Sequence, residues 1–174
     1  LADFKQEQDQ PTNSGWAVLR ESQTSTLSVP NTGQAVIIDS GEGIDIHPRD
    51  KRVVANRLVR HALAKLHGYN VACESPRFAS VQIDQGVATV SFDYVSKEGL
   101  YAFDVWEVLG FAIAGEDRQF KWAKAEIQGR NKVRVSHPEV PNPVAVRYGW
   151  ADNPVLNLYD RNGLPVTPFR TDQW

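Results

Sequence analysis

The sequence lacks methionine altogether and contains a single cysteine among its 174 residues. One cysteine cannot form a disulfide within the chain, so a disulfide-stapled scaffold is excluded and the redox compartment stays open. An excess of one charge is also missing, because 19 Lys and Arg residues oppose 21 Asp and Glu residues. This balance provides no basic surface for nucleic acid and no polybasic patch for an anionic membrane. No apolar run approaches the roughly 20 residues of a spanning helix, so we expect neither nucleic acid nor membrane as a partner.

A chain of this size without an initiator methionine is expected to be a processed or excised piece of a longer protein. Its composition, 41% hydrophobic and 23% charged, is that of a folded globular protein. The sequence pattern changes near residue 75. Helical and strand patterns alternate before this point, and short strands separated by turns follow it. We therefore predict two parts, residues 1–75 and residues 76–174.

The first part is predicted to contain two helices and one strand. Ser14 suits the N-cap of a helix that has Trp16 and Leu19 on one face. Residues 35–38, Ala-Val-Ile-Ile, form a continuous apolar run typical of a buried parallel strand. A long amphipathic helix is predicted over residues 48–67, with Pro48 in its first position, and its apolar stripe must be buried against a partner. The basic residues of this helix are expected to form a solvated outer face: Arg49, Lys51, Arg52, Arg57, Arg60 and Lys65.

The second part has the period-two alternation of β-strands. Residues 78–83 and 87–92 flank an Asp-Gln-Gly turn at residues 84–86, which predicts a β-hairpin. Three further strands are predicted at residues 109–114, 123–127 and 132–135, and a last strand at residues 144–148 precedes an irregular tail. This pattern is typical of an antiparallel β-sandwich.

The connection between the predicted parallel strand and the long helix carries the chemistry. It contains three carboxylates, Asp39, Glu42 and Asp45, and one histidine, His47. Catalytic groups collect in loops beyond the carboxyl ends of strands in open α/β sheets. An imidazole titrates near neutrality, and Asp45 could orient the ring and stabilise the imidazolium. These residues alone fit a catalytic pair and an ordinary loop histidine about equally.

The sequence around His47 resembles the histidine block of the sialate O-acetylesterases, a branch of the SGNH (GDSL-like) hydrolases. The resemblance lies in Asp-Ile-His-Pro-Arg-Asp-Lys at residues 45–51 and in Ile-Asp-Ser-Gly-Glu at residues 38–42. Residues 1–4 with 16–21 look like the segment that leads into this block, and residues 142–172 look like the family's C-terminal signature. The resemblance implies an α/β fold: the C-terminal portion of an SGNH three-layer α/β domain, followed by an antiparallel β-sandwich-like region.

The resemblance also implies a carbohydrate O-acetylesterase that acts on sialic acid or on a plant polysaccharide such as xylan or xyloglucan. In this mechanism a serine activated by His47 attacks the acetyl ester, and water then releases acetate. The family's nucleophile block and oxyanion-hole blocks are not recognisable in this sequence. A complementary N-terminal polypeptide of the same esterase is therefore expected as a partner, beside the acetylated glycan substrate. The substrate class implies an extracytoplasmic location, whether periplasmic, secreted or lysosomal.

The sequence does not decide which group orients the His47 ring. Many SGNH hydrolases place the acidic partner three residues before the histidine, a position that Ile44 occupies here. Asp45 is the nearest candidate, and a backbone carbonyl is the alternative; Asp39 and Glu42 rank below both. Ser40 follows an aspartate as the family nucleophile does, but it shares a loop with the histidine block and is interpreted as a turn serine.

A non-catalytic carbohydrate-binding β-sandwich module is the alternative function. It would use tryptophans of the second part for sugar stacking, yet it leaves the His47 loop unexplained. His61, His67 and His137 show no metal-ligand spacing with one another or with Cys73, so we predict no metal site and no cofactor. The tryptophans in question are Trp106, Trp122, Trp150 and Trp174.

Overall fold

Two helices precede ten short strands in the part of the chain that the computed structural model describes, residues 10, 11 and 13–174. The helices are α1 (Gly15–Ser25) and α2 (Lys51–Lys65), and a 3-10 helix (Thr26–Ser28) directly follows α1. No helix of the described residues is both long and apolar enough to cross a membrane. The strands are β1 (Arg77–Asp84), β2 (Val87–Asp93), β3 (Leu100–Ala102), β4 (Phe111–Ala114), β5 (Lys121–Trp122), β6 (Lys124–Gln128), β7 (Lys132–Ser136), β8 (Ala145–Tyr148), β9 (Leu158–Asp160) and β10 (Phe169–Arg170).

Helix α1 begins as predicted but buries a different face. The Ser14 hydroxyl accepts a hydrogen bond from the Ala17 N–H at 3.0 Å, which confirms the N-cap. Ala17 and Arg20 are the buried residues of the helix, whereas Leu19 is 44% exposed. The Arg20 guanidinium donates to the Ala151 carbonyl at 2.7 Å and so fixes the helix to the C-terminal region. Hydrogen bonding by a charged side chain, rather than an apolar stripe, therefore sets the orientation of α1.

The parallel strand predicted at residues 35–38 is wrong. Val36 and Ile38 are buried as expected, but the segment has no regular secondary structure and pairs with no strand of the described chain. The Val36 carbonyl accepts from Arg57 at 2.6 Å instead of from a neighbouring strand. The Ser40 N–H donates to the Ile37 carbonyl at 3.2 Å and starts a turn. Burial alone produced the apolar run, and burial does not require a sheet partner.

Helix α2 starts at Lys51, three residues later than the predicted start at Pro48. The Asp50 carboxylate accepts from the Arg52 N–H at 3.0 Å and caps the first turn, so the cap decides where the helix begins. Gly68 adopts a positive φ of 70° beyond the C-terminus, as a helix stop requires.

The two faces of α2 differ from the prediction. Leu58, Val59 and Leu66 of the apolar stripe are 49%, 47% and 79% exposed. Arg57 and His61 point inward, and the Arg57 side chain is only 11% exposed. The prediction of a solvated basic face is therefore wrong for Arg57, because this side chain has a buried acidic partner. The described residues cover only part of the stripe, because three of its other residues are partly buried: Val54, Ala62 and Leu63.

Two four-stranded antiparallel sheets form the second part. Their strand orders are β1-β2-β7-β6 and β10-β8-β4-β5, and β3 pairs with β9 in a separate two-stranded sheet. The predicted hairpin is confirmed: β1 and β2 join through Gln85 and Gly86, whose φ values of 47° and 78° are those of a type I′ turn. Both large sheets contribute to one core, and its largest fully buried side chains include Phe92, Phe111 and Tyr148.

The tail is less irregular than predicted. Strands β9 and β10 follow β8 and pair antiparallel with β3 and β8. They span only three and two residues, so no alternation could show them in the sequence. The chain is thus a mixed structure of helices and antiparallel sheets. Its division at residue 75 stays a prediction, because α1 and α2 also contact the tail.

Candidate functional site

The loop between Ile38 and α2 folds around the carboxylates that the sequence places there. The Asp45 N–H donates to the Glu42 carbonyl at 3.1 Å and closes a turn. The His47 N–H then donates to Oδ1 of Asp45 at 2.9 Å, the Asx-type bond for which an aspartate two residues upstream is suited. The same Oδ1 lies 3.3 Å from Nδ1 of the His47 ring. Backbone geometry therefore brings Asp45 and His47 together.

The carboxylate of Asp45 faces a ring nitrogen of His47, which is the arrangement that a base and its orienting carboxylate need. The backbone hydrogen bond from His47 is the main cause that lowers the pKa of Asp45, and the His47 ring and Arg49 contribute in the same direction. The carboxylate stays ionised at neutral pH and accepts the Nδ1–H of the ring. Nε2 then carries the lone pair, and it has no partner among the described residues. The His47 side chain is 82% exposed, so this nitrogen faces outward from the chain.

The other two carboxylates of the loop are engaged elsewhere. Asp39 binds Arg57 in a bidentate pair, with Nη1–Oδ1 at 2.5 Å and Nη2–Oδ2 at 2.6 Å. The Tyr159 hydroxyl donates to the same carboxylate at 3.1 Å, and burial, followed by the nearby Asp39 charge, raises the pKa of Tyr159. The Glu42 carboxylate accepts a hydrogen bond from the Arg49 backbone N–H, at 3.3 Å from each of its oxygens. Neither acid is bonded to His47.

Ser40 lies in a turn away from the histidine ring. Its N–H closes the turn to Ile37, and no hydrogen bond joins its hydroxyl to His47. No serine of residues 10, 11 and 13–174 is hydrogen-bonded to that ring. The described residues thus offer a proton acceptor without a nucleophile beside it.

Two isoleucines of the loop are exposed near His47 in the sequence. Ile44 is 94% exposed and Ile46 is 44% exposed. Leu58 in α2 and Leu66 at its C-terminal end are also exposed, 11 and 19 residues after His47.

Sequence reasoning missed two ionic networks. The Asp39–Arg57–Tyr159 network joins residues up to 120 positions apart. The second network is a buried Arg147–Asp172 pair with Nη2–Oδ2 at 2.6 Å. The aromatic residues Phe120 and Trp150 lie against the Arg147 guanidinium, at 3.8 and 5.4 Å from ring centroid to Cζ. Charge partners at such separations leave no periodic signal in a sequence.

The remaining candidates are distributed over the molecule. Trp150 is only 4% exposed and packs, whereas Trp106 is fully exposed. His137 accepts from the Glu139 N–H through Nδ1 at 3.1 Å, and His67 is exposed beyond α2. His61 is buried. One of its ring nitrogens lies within 4.8 Å of Sγ of Cys73 and of a carboxylate oxygen of Glu74, two residues of the segment after α2. Sequence spacing did not reveal this last cluster. The stretch at residues 1–4 lies outside the described residues.

The chain was compared with protein-family models, with curated proteins and with solved structures. No family model and no curated protein matches it. A solved structure does match: the crystal structure of a novel carbohydrate acetylesterase from Xanthomonas citri, with 46% sequence identity and a TM-score of 0.92. The match covers 100% of this chain and 40% of that one, so the chain spans about two fifths of the length of its solved relative. Sequence and fold together relate the whole chain to a carbohydrate esterase.

Proposed function

We propose that this chain is the C-terminal part of a carbohydrate O-acetylesterase of the SGNH type, in which it supplies the general base His47. The observation that carries the proposal is the 46% identity, over the entire chain, to a carbohydrate acetylesterase. The contact between Asp45 and His47 supports the assignment of the base, because Nδ1 faces a carboxylate at 3.3 Å. A carboxylate in this position, rather than a backbone carbonyl, is our proposed orienting group.

The proposed reaction is a two-step acyl transfer. Nε2 of His47 takes the proton of a serine hydroxyl while the serine oxygen attacks the acetyl carbonyl carbon. The imidazolium, stabilised by the Asp45 carboxylate, returns the proton to the sugar oxygen as the ester bond breaks. His47 then takes a proton from water, which attacks the acetyl-serine, and the proton finally returns to the serine as acetate leaves.

A complementary N-terminal polypeptide would supply the serine and the donors of the oxyanion hole. The chain covers 40% of the Xanthomonas protein, which leaves room for such a part in the relative. Ile44 and Ile46 beside His47 in the loop, together with Leu58 in α2 and Leu66 at its C-terminal end, are exposed apolar side chains on which that polypeptide would pack. This placement would remove water from the base and strengthen its bond with Asp45.

The proposed substrate is an O-acetylated glycan, either an acetylated sialic acid or an acetylated plant polysaccharide such as xylan or xyloglucan. Such glycans are met outside the cytoplasm or in lysosomes, so we propose an extracytoplasmic location.

Reconstitution tests the proposal. The chain is co-expressed with the polypeptide that corresponds to the remaining part of the Xanthomonas acetylesterase, and acetate release is measured on acetylated xylan and on O-acetylated sialic acid. We expect activity only for the combined chains, and a loss of about 10³-fold or more in His47→Ala. His137→Ala is the matched control, because this histidine lies in a loop of the second part, and it should keep the activity. An active His47→Ala complex would refute the role of the base.

The alternative, a carbohydrate-binding module, predicts a different result. Its supporting observation is a cavity of about 330 Å³ with a largely apolar lining that includes Trp122 and a few polar groups, among them Glu107 and Asn153. A pure binding module would migrate more slowly in a gel that contains xylan, and the combined chains would show no His47-dependent acetate release.

A further inference from the structure

A second cluster of reactive side chains lies away from the His47 loop. His61 projects from α2, and Cys73 and Glu74 belong to the segment that connects this helix to β1. A ring nitrogen of His61, Sγ of Cys73 and a carboxylate oxygen of Glu74 all lie within 4.8 Å of one another. Imidazole, thiolate and carboxylate are the three ligand types that Zn²⁺ prefers in proteins.

The tautomer of His61 leaves one nitrogen available for a ligand. Nε2 lies 2.9 Å from the carbonyl oxygen of Gln34, which accepts only, so Nε2 carries the proton. Nδ1 is then the nitrogen with the lone pair, and it is buried without a hydrogen-bond partner. The residue is only 8% exposed, so water does not replace the missing partner freely. Histidines that bind a metal donate their other ring N–H to such a carbonyl.

The Glu74 carboxylate lies between two cations, one of which a bound metal ion would replace. The Lys65 ammonium lies 2.6 Å from Oε1 of Glu74, which holds this carboxylate in place while its other oxygen faces Arg77 at the longer distance of 3.5 Å. A side chain at Gly33 would come within 2.9 Å of Nδ1 of His61, so the glycine keeps this nitrogen unobstructed. A cavity of about 220 Å³ lies beside His61 and is also lined by Gly33 and Lys65.

We propose that His61, Cys73 and Glu74 bind one Zn²⁺ ion, with water in the fourth position. Tetrahedral coordination places ligand atoms roughly 3.3 to 3.6 Å apart, so the three ligand atoms, which lie within 4.8 Å of one another, would move closer together on binding. Binding converts the Cys73 thiol to a thiolate and releases one proton to solvent. The ion would tie α2 to the segment that leads into the sheets, and its binding would be independent of the proposed esterase activity.

Burial raises the pKa of the Cys73 thiol, and the Glu74 charge adds to this effect. Because the chain has one cysteine, any thiolate signal from the intact chain must come from Cys73.

Cobalt titration tests the site directly. Co²⁺ is used as the coloured substitute for Zn²⁺, and absorbance is followed in the near-ultraviolet thiolate-to-metal band and in the visible region. We expect saturation at one Co²⁺ per chain, with displacement by Zn²⁺. Cys73→Ser should abolish the thiolate band, and His61→Gln and Glu74→Gln should each weaken binding by about 100-fold or more. The matched controls are His67→Ala and Glu139→Gln, which should leave the titration unchanged.

A thermal measurement complements the titration. Zn²⁺ at about 100 times its Kd is expected to raise the melting temperature by about 5 to 10 °C in the unmodified chain and not in Cys73→Ser. Absence of a thiolate band, one metal per two chains, or full binding by folded His61→Gln would each overturn the proposal. Circular dichroism of each variant separates loss of binding from loss of the fold.

Discussion

The ion pair between Arg57 and Asp39 should hold the His47 loop in place, and breaking it gives a quantitative test. Asp39 is the first residue of the loop and Arg57 lies in the helix after it, so one bidentate contact connects the two ends. The two side chains are 11% and 13% exposed, and Tyr159 adds a hydrogen bond to the carboxylate. Removing one partner of a buried pair costs about 3 to 5 kcal/mol, because the other charge is left without compensation. The residual exposure places this pair at the lower end, about 3 kcal/mol.

The measurement is urea unfolding followed by tryptophan fluorescence, applied to Arg57→Met, Asp39→Asn and the double variant. Each single variant is expected to lose about 3 kcal/mol of unfolding free energy, with a coupling energy between about 1 and 3 kcal/mol. The control is the exposed pair Lys124–Glu126, in which the side chains are 70% and 56% exposed. Lys124→Met should cost less than about 1 kcal/mol. A loss below 1 kcal/mol in Arg57→Met, without coupling, would refute the reasoning.

Three further predictions follow from the loop and the hairpin. In the combined esterase, Asp45→Asn should lower kcat by about 10²- to 10⁴-fold in the acetate-release assay, because the ring loses its orienting anion. In His47→Ala, an NMR titration should still find the Asp45 pKa below its usual value of about 3.9, because the backbone N–H of residue 47 is the main cause and remains. The carboxylate therefore stays ionised until the pH falls through this lowered pKa. Gly86→Ala should destabilise the chain by about 2 to 3 kcal/mol in urea unfolding, since φ is +78° and the new Cβ would lie 2.8 Å from the Pro141 carbonyl oxygen. Gly129→Ala, with φ of +62° and no atom within 4 Å, should cost only about 1 to 2 kcal/mol.

Local patterns predicted the parts of the fold that local interactions determine. The β1–β2 hairpin follows from alternation around a two-residue turn, and the N-cap of α1 follows from Ser14 alone. The strand prediction for residues 35–38 was wrong, because a buried apolar run looks the same whether or not a strand pairs with it. Helix α2 was placed correctly in the chain, but the side of the helix that carries Arg57 faces inward instead of the solvent. Arg57 binds a buried acid, Asp39, that is distant in sequence.

In the candidate sites, too, contacts within one turn were predictable and contacts between distant residues were not. Asp45 and His47 are two residues apart, so their contact was predictable from the turn that an aspartate favours. His61 and Cys73 are brought together only when the chain turns back after α2, so no spacing rule could find them.

Serine labelling tests the central claim most directly, namely that His47 activates a serine of a complementary polypeptide. The isolated chain, the combined chains and the His47→Ala combination are treated with a fluorophosphonate probe and analysed by intact mass. The account predicts one probe adduct on the complementary polypeptide of the combined chains, none on this chain, and strongly slowed labelling in His47→Ala. Labelling of the isolated chain, or labelling at an unchanged rate in His47→Ala, would contradict it.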